Sequence, residues 1–384
     1  MDYTQERIAT LHDYGEATPD APVERATVVV PMTEREYAGL AAEGVLSELA
    51  AVGPGEVLVP LRAPAEKVPA FVEWLQSFDL PLSVLWCNGP NVDALLAEHD
   101  LAGTTGKGRD AWLALGLATA GERGHDREYV VLHDADTKTY SRRDVPKLLF
   151  PLCEGYDFVK GYYARVENRR LYGRLFRLFY EPLVETLRRE HHADVLEYLG
   201  AFRYALAGES AMTTDVARSL RVPRKWGVEV GILGQTFDLA GFDATAQVDL
   251  GRYEHDHRAV SGPTGLSDMS EGVGRELLRG VEAAGVDPDY DTLAARYVET
   301  GERFVRQYAD DAAFNGFDHD VAAEREQVHT YADAVAPPGE DTRLPAWRDA
   351  PIDPVDVRAS AASDLESLGV DPSVVSPAGG EGPT

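Results

Sequence analysis

Tyr129-Val130-Val131-Leu132-His133-Asp134-Ala135-Asp136 runs through successive apolar residues and stops on two acids. A short, continuous apolar run of this kind reads as a strand buried in a parallel sheet. Working outward, Ala26-Thr27-Val28-Val29-Val30-Pro31, Glu56-Val57-Leu58-Val59-Pro60 and residues 82–86 have the same character. Helical patterns alternate with them: 36–49, with Tyr37, Leu40, Ala41, Gly44 and Val45 on an inner face, then 65–78, then 109–120. Strand–helix alternation predicts an α/β fold, an open and mostly parallel sheet with helices on both faces. Such sheets bind ligands beyond the carboxyl ends of their strands, where Pro31, Asn88-Gly89 and Asp134 fall.

Further along, 158–163 and 244–250 read as strands, and 169–190 and 226–239 as helices, the first of them rich in aromatics. Residues 267–335 are helical in pattern, a cap or an oligomer arm. After Pro337 the chain is rich in Pro, Gly, Ala and Asp, and 377–384 is expected to be disordered.

The 384 residues are 44% hydrophobic, enough to bury a sizeable core. Lys+Arg is 37 against 65 Asp+Glu, a net charge of −28, which disfavours bare nucleic acid and anionic lipid as partners. Of the 37 basic residues only 6 are Lys, and this acidic, Lys-poor balance suits a halophilic, high-salt cytoplasm where screening relieves self-repulsion. Two cysteines, Cys87 and Cys153, make neither a disulfide framework nor a four-Cys metal site. With no basic-then-apolar leader and no apolar run of membrane length, a soluble cytoplasmic protein is expected.

Three constellations carry chemistry. In Asp134-Ala135-Asp136, alternate residues of an extended chain point the same way, so both carboxylates can face one site. They repel unless a cation sits between them, and Mg²⁺ or Mn²⁺ would both relieve that and grip a diphosphate; an acidic loop start is the plain alternative. Gly106-Lys107-Gly108 precedes a helix, where backbone amides and an ammonium can meet an anion, or it is an ordinary exposed turn. Glu254-His255-Asp256-His257 follows a strand and offers metal-ligating imidazoles, or is a solvated loop. Arg174 can fork onto a phosphate or sit on the surface, and Glu229 can orient a sugar hydroxyl or simply favour a helix start.

Their order carries more than any one of them. Gly106-Lys107-Gly108, Asp134-Ala135-Asp136, Val159-Lys160-Gly161-Tyr162-Tyr163, Gly173-Arg174, Leu199-Gly200, Gly227-Val228-Glu229-Val230-Gly231 and Gln247-Val248-Asp249-Leu250-Gly251 with Glu254-His255 together resemble the glucosyl-3-phosphoglycerate synthases, retaining glycosyltransferases of the GT-A fold. The likeness runs from about residue 26 to 258. Val30-Pro31-Met32, Glu43-Gly44-Val45-Leu46-Ser47 and Gly208-Glu209-Ser210-Ala211-Met212 look more like the related mannosyl-3-phosphoglycerate synthases.

The resemblance implies a GT-A-type, Rossmann-like sheet with a C-terminal helical extension. Asp136 would ligate the divalent ion (Mg²⁺ or Mn²⁺), with Asp134 on its metal or ribose side and His255 as the matching ligand, His257 being less favoured. Lys107 would neutralise donor phosphate, with Pro31 and Glu34 also on the donor side. Leu199-Gly200 would present backbone to the sugar, Glu229 would hydrogen-bond its hydroxyls and act with Asp136 in catalysis, and Gly173 with Arg174 would hold the acceptor. The division expected is an N-terminal extension (1–25), a nucleotide-sugar half (26–137), an acceptor half (138–265), a helical extension (266–336) and a partly disordered tail (337–384).

The implied activity is transfer of a hexose, glucose favoured, from a nucleotide sugar (UDP-glucose or GDP-mannose) to 3-phosphoglycerate, as a compatible-solute precursor, by a homodimer without membrane or nucleic-acid partner. Pro60-Leu61-Arg62-Ala63-Pro64 replaces the family's acidic, Ser/Gly/Thr-rich run, which leaves uridine and guanosine both open; Leu175-Phe176 replaces a frequent hydroxyl residue beside the acceptor. A different acceptor, such as a lipid phosphate or protein-linked glycan, and a non-catalytic nucleotide-sugar-binding homologue are the other readings.

Overall fold

The computed structural model describes residues 6–120, 127–256 and 263–375, with the side chains of 263–267 outside that description. His257, Arg258 and residues 377–384 lie outside it. The strands are β1 (Ala9–Leu11), β2 (Ala26–Val29), β3 (Met32–Thr33), β4 (Glu56–Arg62), β5 (Leu82–Trp86), β6 (Tyr129–Leu132), β7 (Phe158–Ala164), β8 (Val166–Glu167), β9 (Arg170–Leu171), β10 (Ser210–Thr213) and β11 (Thr245–Arg252). The helices are α1 (Leu40–Val52), α2 (Val68–Leu75), α3 (Pro90–Glu98), α4 (Lys107–Thr119), α5 (Asp144–Cys153), α6 (Glu181–Glu190), α7 (Asp194–Leu199), α8 (Thr214–Ser219), α9 (Val228–Leu239), α10 (Pro263–Ala283), α11 (Tyr290–Asn315), α12 (Val321–Tyr331) and α13 (Pro354–Ser367).

Nine strands form one sheet in the order β1-β11-β7-β10-β6-β2-β4-β3, with β5 also on β4. The neighbours are parallel except at β10, which runs antiparallel to both β6 and β7. All of β2, β5 and β6 is buried, as strands covered on both faces must be. This is the mostly parallel, helix-flanked sheet expected from the alternation.

The reversed strand β10 also brings a glycine up to the first aspartate. Ser210 pairs with Leu132, so running on past both strand ends sets Gly208 opposite Asp134.

Two local readings are corrected. The first helix begins at Leu40 and not at residue 36, because Ala38 has a positive φ of 48°. Its buried face is therefore Ala41, Ala42, Val45, Leu46 and Leu49, while Tyr37 and Leu40 are exposed. The segment 169–190 is not one helix. Asn168 and Arg169 take successive positive φ values of 47° and 57°, the twist of a two-residue hairpin turn, so β8 and β9 pair before the helix starts beyond Gly173. Between Phe176 and Tyr180 that helix widens into a π turn before α6.

Of the partly disordered tail expected over 337–384, the stretch expected to be disordered, 377–384, lies outside the described residues, and the described part is 337–375. It packs against the N-terminal half: Trp347 stacks on Trp112 of α4 with ring centroids 4.2 Å apart, its indole N–H donates to the Trp112 carbonyl at 2.6 Å, and Trp112 Nε1 donates to Pro345 at 2.7 Å. In α13 the fully buried Asp364 accepts from the backbone N–H of Asn91 at 2.8 Å and of Val92 at 3.1 Å, satisfying the start of α3. Trp347→Ala is expected to cost about 3–5 kcal/mol in denaturant unfolding, a large aromatic removed from a packed site. A loss below about 1 kcal/mol would mean that the segment is not part of the cooperative unit.

Candidate active site

The strand β6 ends at Leu132, and the next residues deliver Asp134 and Asp136 to the sheet's carboxyl edge. His255 comes from the far side of the sheet, just beyond β11. Thr137 and His255 form an antiparallel bridge, and the Asp256 amide donates to the Asp136 carbonyl at 2.7 Å. One ligand atom each from Asp134, Asp136 and His255 then lies within 4.8 Å of the others. The His255 backbone N–H also donates to the buried carboxylate of Glu167 in β8 at 3.1 Å.

Lys107 opens α4 and Glu229 the first turn of α9, and the two meet here. The Lys107 ammonium donates to Asp134 Oδ1 at 2.7 Å and to Glu229 Oε1 at 2.8 Å. Burial alone would lower the Lys107 pKa, but the two carboxylates outweigh it and raise it well above its ordinary value. Burial would raise Asp134, and the same ammonium overrides that and holds it low. Lys107 and Arg165 reach Asp136 only through their charge and are outweighed. Burial, then the charge of Asp134, pushes it up to about 7. Two oxygen donors and an imidazole, one carboxylate short of positive charge, suit a hard divalent ion.

The glycines of 106–108 act differently from the anion-cradle expectation. The first free amides of α4 are taken: Gly108 N–H donates to the Lys225 carbonyl at 3.2 Å and Arg109 N–H to Arg224 at 3.0 Å. A Cβ on Gly108 would sit 1.7 Å from the Pro223 carbonyl oxygen, so glycine is needed for this backbone crossing. What the motif presents to the site is the Lys107 side chain.

Leu199 and Gly200, expected to present backbone to the sugar, close α7. The Leu199 carbonyl accepts from the Tyr180 hydroxyl at 3.0 Å, and Gly200 lies against Arg188. The backbone facing Asp134 is that of Gly208, where a Cβ would lie 2.1 Å from Oδ2. The antiparallel register of β10 against β6 is the reason. Beside it, the buried Lys160 donates to the Ala207 carbonyl, and Glu209 is wholly buried, its pKa pushed up to about 8 by burial and by Asp134.

Glu34, expected on the donor side, lies just beyond β3. It pairs with Lys67, whereas Glu36 accepts from the Thr33 amide at 2.6 Å and hydroxyl at 2.8 Å, and its charge reaches Asp136. Pro31 stands half-buried between β2 and β3. Beyond β4 and β5, Asn88 brackets Ala63, accepting from its amide at 3.1 Å and donating to its carbonyl at 3.0 Å, and Arg62 pairs with Asp110 at 2.8 Å. Gly173, with φ 74°, lies under the Tyr204 hydroxyl, and Arg174 is exposed just after it. Arg165 leads into the same hairpin and lowers the Asp136 pKa, against the larger effects of burial and Asp134. Lys160, Arg165, Glu36 and Glu209 are site residues that sequence reasoning missed; Lys160 and Glu209 fall inside motifs that carry the family resemblance, and a lysine in so Lys-poor a chain was the available signal.

No protein-family model matches the chain. Among curated relatives, the glucosyl-3-phosphoglycerate synthase of Methanococcoides burtonii is 33% identical over 380 residues, covering 90% of this chain and 93% of the relative. That of Persephonella marina is 31% identical over 324 residues, covering 80% and 79%. A solved structure of glucosyl-3-phosphoglycerate synthase from Mycobacterium tuberculosis, in complex with Mn²⁺, UDP-glucose and phosphoglyceric acid, superposes with a TM-score of 0.54 at 26% identity, over 73% of this chain and 89% of that one. Another, with Mg²⁺ and UDP, gives 0.54 at 26%, over 73% and 88%. Among the described residues no helix is long and apolar enough to cross a membrane.

Proposed function

The chain belongs to the glucosyl-3-phosphoglycerate synthase family, and from that premise we propose that the cluster of Asp134, Asp136, His255, Lys107 and Glu229 transfers glucose from UDP-glucose to 3-phosphoglycerate with Mg²⁺ or Mn²⁺. The fold is the GT-A-type α/β architecture and the enzyme a metal-dependent glycosyltransferase. The observation that carries the site assignment is the convergence of the three ligand atoms within 4.8 Å at the tip of β6.

Asp136 and His255 would hold the ion, with Asp134 completing the set; once bound, it would neutralise charge gathering on the departing diphosphate. Lys107 adds a fixed ammonium on the same side, aligned before reaction by Asp134 and Glu229, so no reorganisation is needed as charge develops. Glu229 spends Oε1 on Lys107 and offers Oε2 to a hydroxyl of the sugar. Gly208 lets the chain pass close to Asp134, and the exposed guanidinium of Arg174 is suited to the acceptor's phosphate or carboxylate. The acceptor hydroxyl then attacks from the face the diphosphate leaves, and catalysis is mostly positioning.

The donor is the finer point. A panel of UDP-glucose, GDP-glucose, UDP-mannose and GDP-mannose, each with and without Mn²⁺ at high salt, is expected to show turnover of UDP-glucose with 3-phosphoglycerate only when metal is present. Faster consumption of GDP-mannose would reassign the donor, and calorimetric binding of UDP-glucose with no product under any condition would leave a binding protein in place of an enzyme.

A further inference from the structure

Arg177 and Glu324 form an enclosed bidentate ion pair joining the helical extension to the acceptor half. Their side chains are 7% and 9% exposed, with Arg177 Nη2 donating to Glu324 Oε1 at 2.7 Å and Nη1 to Oε2 at 3.3 Å. The same guanidinium donates from Nε to the Tyr172 carbonyl at 3.0 Å and from Nη2 to the Leu171 carbonyl at 3.3 Å, and lies 4.6 Å from the ring centroid of Tyr308 in α11. Arg177 N–H donates to the Gly173 carbonyl at 3.0 Å. Both residues flanking the Gly173-Arg174 turn on its N-terminal side are thus gripped by one side chain whose charge is balanced by α12.

The tip of the hairpin is held from the same direction. The Asp318 amide donates to the Arg169 carbonyl at 2.8 Å, and Arg169 Nη2 donates to the Gly316 carbonyl at 2.6 Å, both from the link between α11 and α12. On its other side the hairpin receives the His255 amide on Glu167. A two-strand hairpin has little intrinsic stability in water, so its position must come from these outside contacts.

We propose that the helical extension sets the acceptor site: Arg177 and Glu324 are positioning residues that fix the 165–174 hairpin, and through it Arg174, for the anionic acceptor. This rests on the reading of Gly173 and Arg174 as acceptor-binding. The pair itself contacts none of Asp134, Asp136 and His255, and it grips the hairpin beside Gly173, away from the Glu167 end that meets His255, so its loss acts chiefly on the acceptor.

The test is steady-state kinetics of the full-length chain with UDP-glucose, 3-phosphoglycerate and Mn²⁺. Glu324→Gln, which keeps shape and removes charge, is expected to raise the acceptor KM about tenfold while kcat and the UDP-glucose KM stay within about twofold. Arg169→Ala, a surface change, gives a smaller rise of the same selective kind and decides the matter should Glu324→Gln not fold. An unchanged acceptor KM, or donor and acceptor KM rising together, overturns the proposal. Arg174→Ala is measured in parallel: if it raises the acceptor KM while the other two variants leave it alone, this inference alone fails. If Arg174→Ala leaves the acceptor KM unchanged, the acceptor reading falls and the inference with it.

Discussion

Asp136→Asn is expected to lose about a thousandfold or more in kcat with UDP-glucose and Mn²⁺, while its far-UV circular dichroism stays that of the parent. Asparagine keeps the shape of the side chain and removes the charge, so the change isolates what the carboxylate does for a cation. The stability of the metal-free protein supplies an independent sign. The Asp136 carboxyl is pushed from 3.8 to about 7 by burial and by Asp134, so between those values the folded chain holds a proton that the unfolded chain has released. Metal-free stability therefore falls as pH rises through that window, and the asparagine variant escapes the fall. At about pH 8, metal-free Asp136→Asn should melt above the metal-free parent, and Mn²⁺ should lift the parent far more than the variant. Full activity in Asp136→Asn would remove the metal assignment; equal Mn²⁺ shifts in both proteins would move the ion elsewhere.

How much of this site was legible in the sequence differs from residue to residue. The two aspartates were, because a buried strand has a period of two and an apolar run announces where it ends. Lys107 was legible as a residue but not for its reason: the flanking glycines suggested open amides, and the fold spends those amides on the carbonyls of Arg224 and Lys225. That pairing is between distant segments and leaves no local mark. His255 was reached through family likeness, since the bridge between Thr137 and His255 joins segments that no spacing rule connects.

Gly208 was not singled out for its place beside Asp134, because only strand register brings the two together. β10 is antiparallel in an otherwise parallel sheet, a reversal that hydrophobic patterning does not encode. Likewise the turn at Asn168-Arg169 lacks the glycine that marks most two-residue hairpins, so the helical reading ran through it. How 337–375 docks was not legible because composition reports average polarity, whereas one tryptophan, Trp347, and one aspartate at the start of α3, Asp364, make the contacts.

Lys107→Met is expected to lower kcat/KM by about a hundredfold to a thousandfold, the loss typical of removing a preorganised charge from a developing anion. Methionine fills the space of the lysine stem and leaves Asp134 and Glu229 facing one another without the cation that held both, at 2.7 and 2.8 Å. Repulsion should then misplace Glu229 as well, so the defect falls on kcat more than on the donor KM, and Lys107→Arg, which keeps the charge, should recover part of it. The pH profile sharpens the test. Lys107 titrates well above its ordinary 10.5, so its pairing energy is fully present below that value and is lost only as pH climbs past the raised one. Lys107 therefore keeps its charge through neutral pH, and Lys107→Met should reduce the rate by the same factor across that range. Because the Lys107 side chain is only 28% exposed, raising salt should screen the pairing weakly, and the factor should hold at high salt too. A donor KM and kcat both equal to the parent's would show that Lys107 serves only to join α4 to α9. A defect that disappears already below pH 10.5 would show that the Lys107 ammonium loses its proton there and is not held by Asp134 and Glu229.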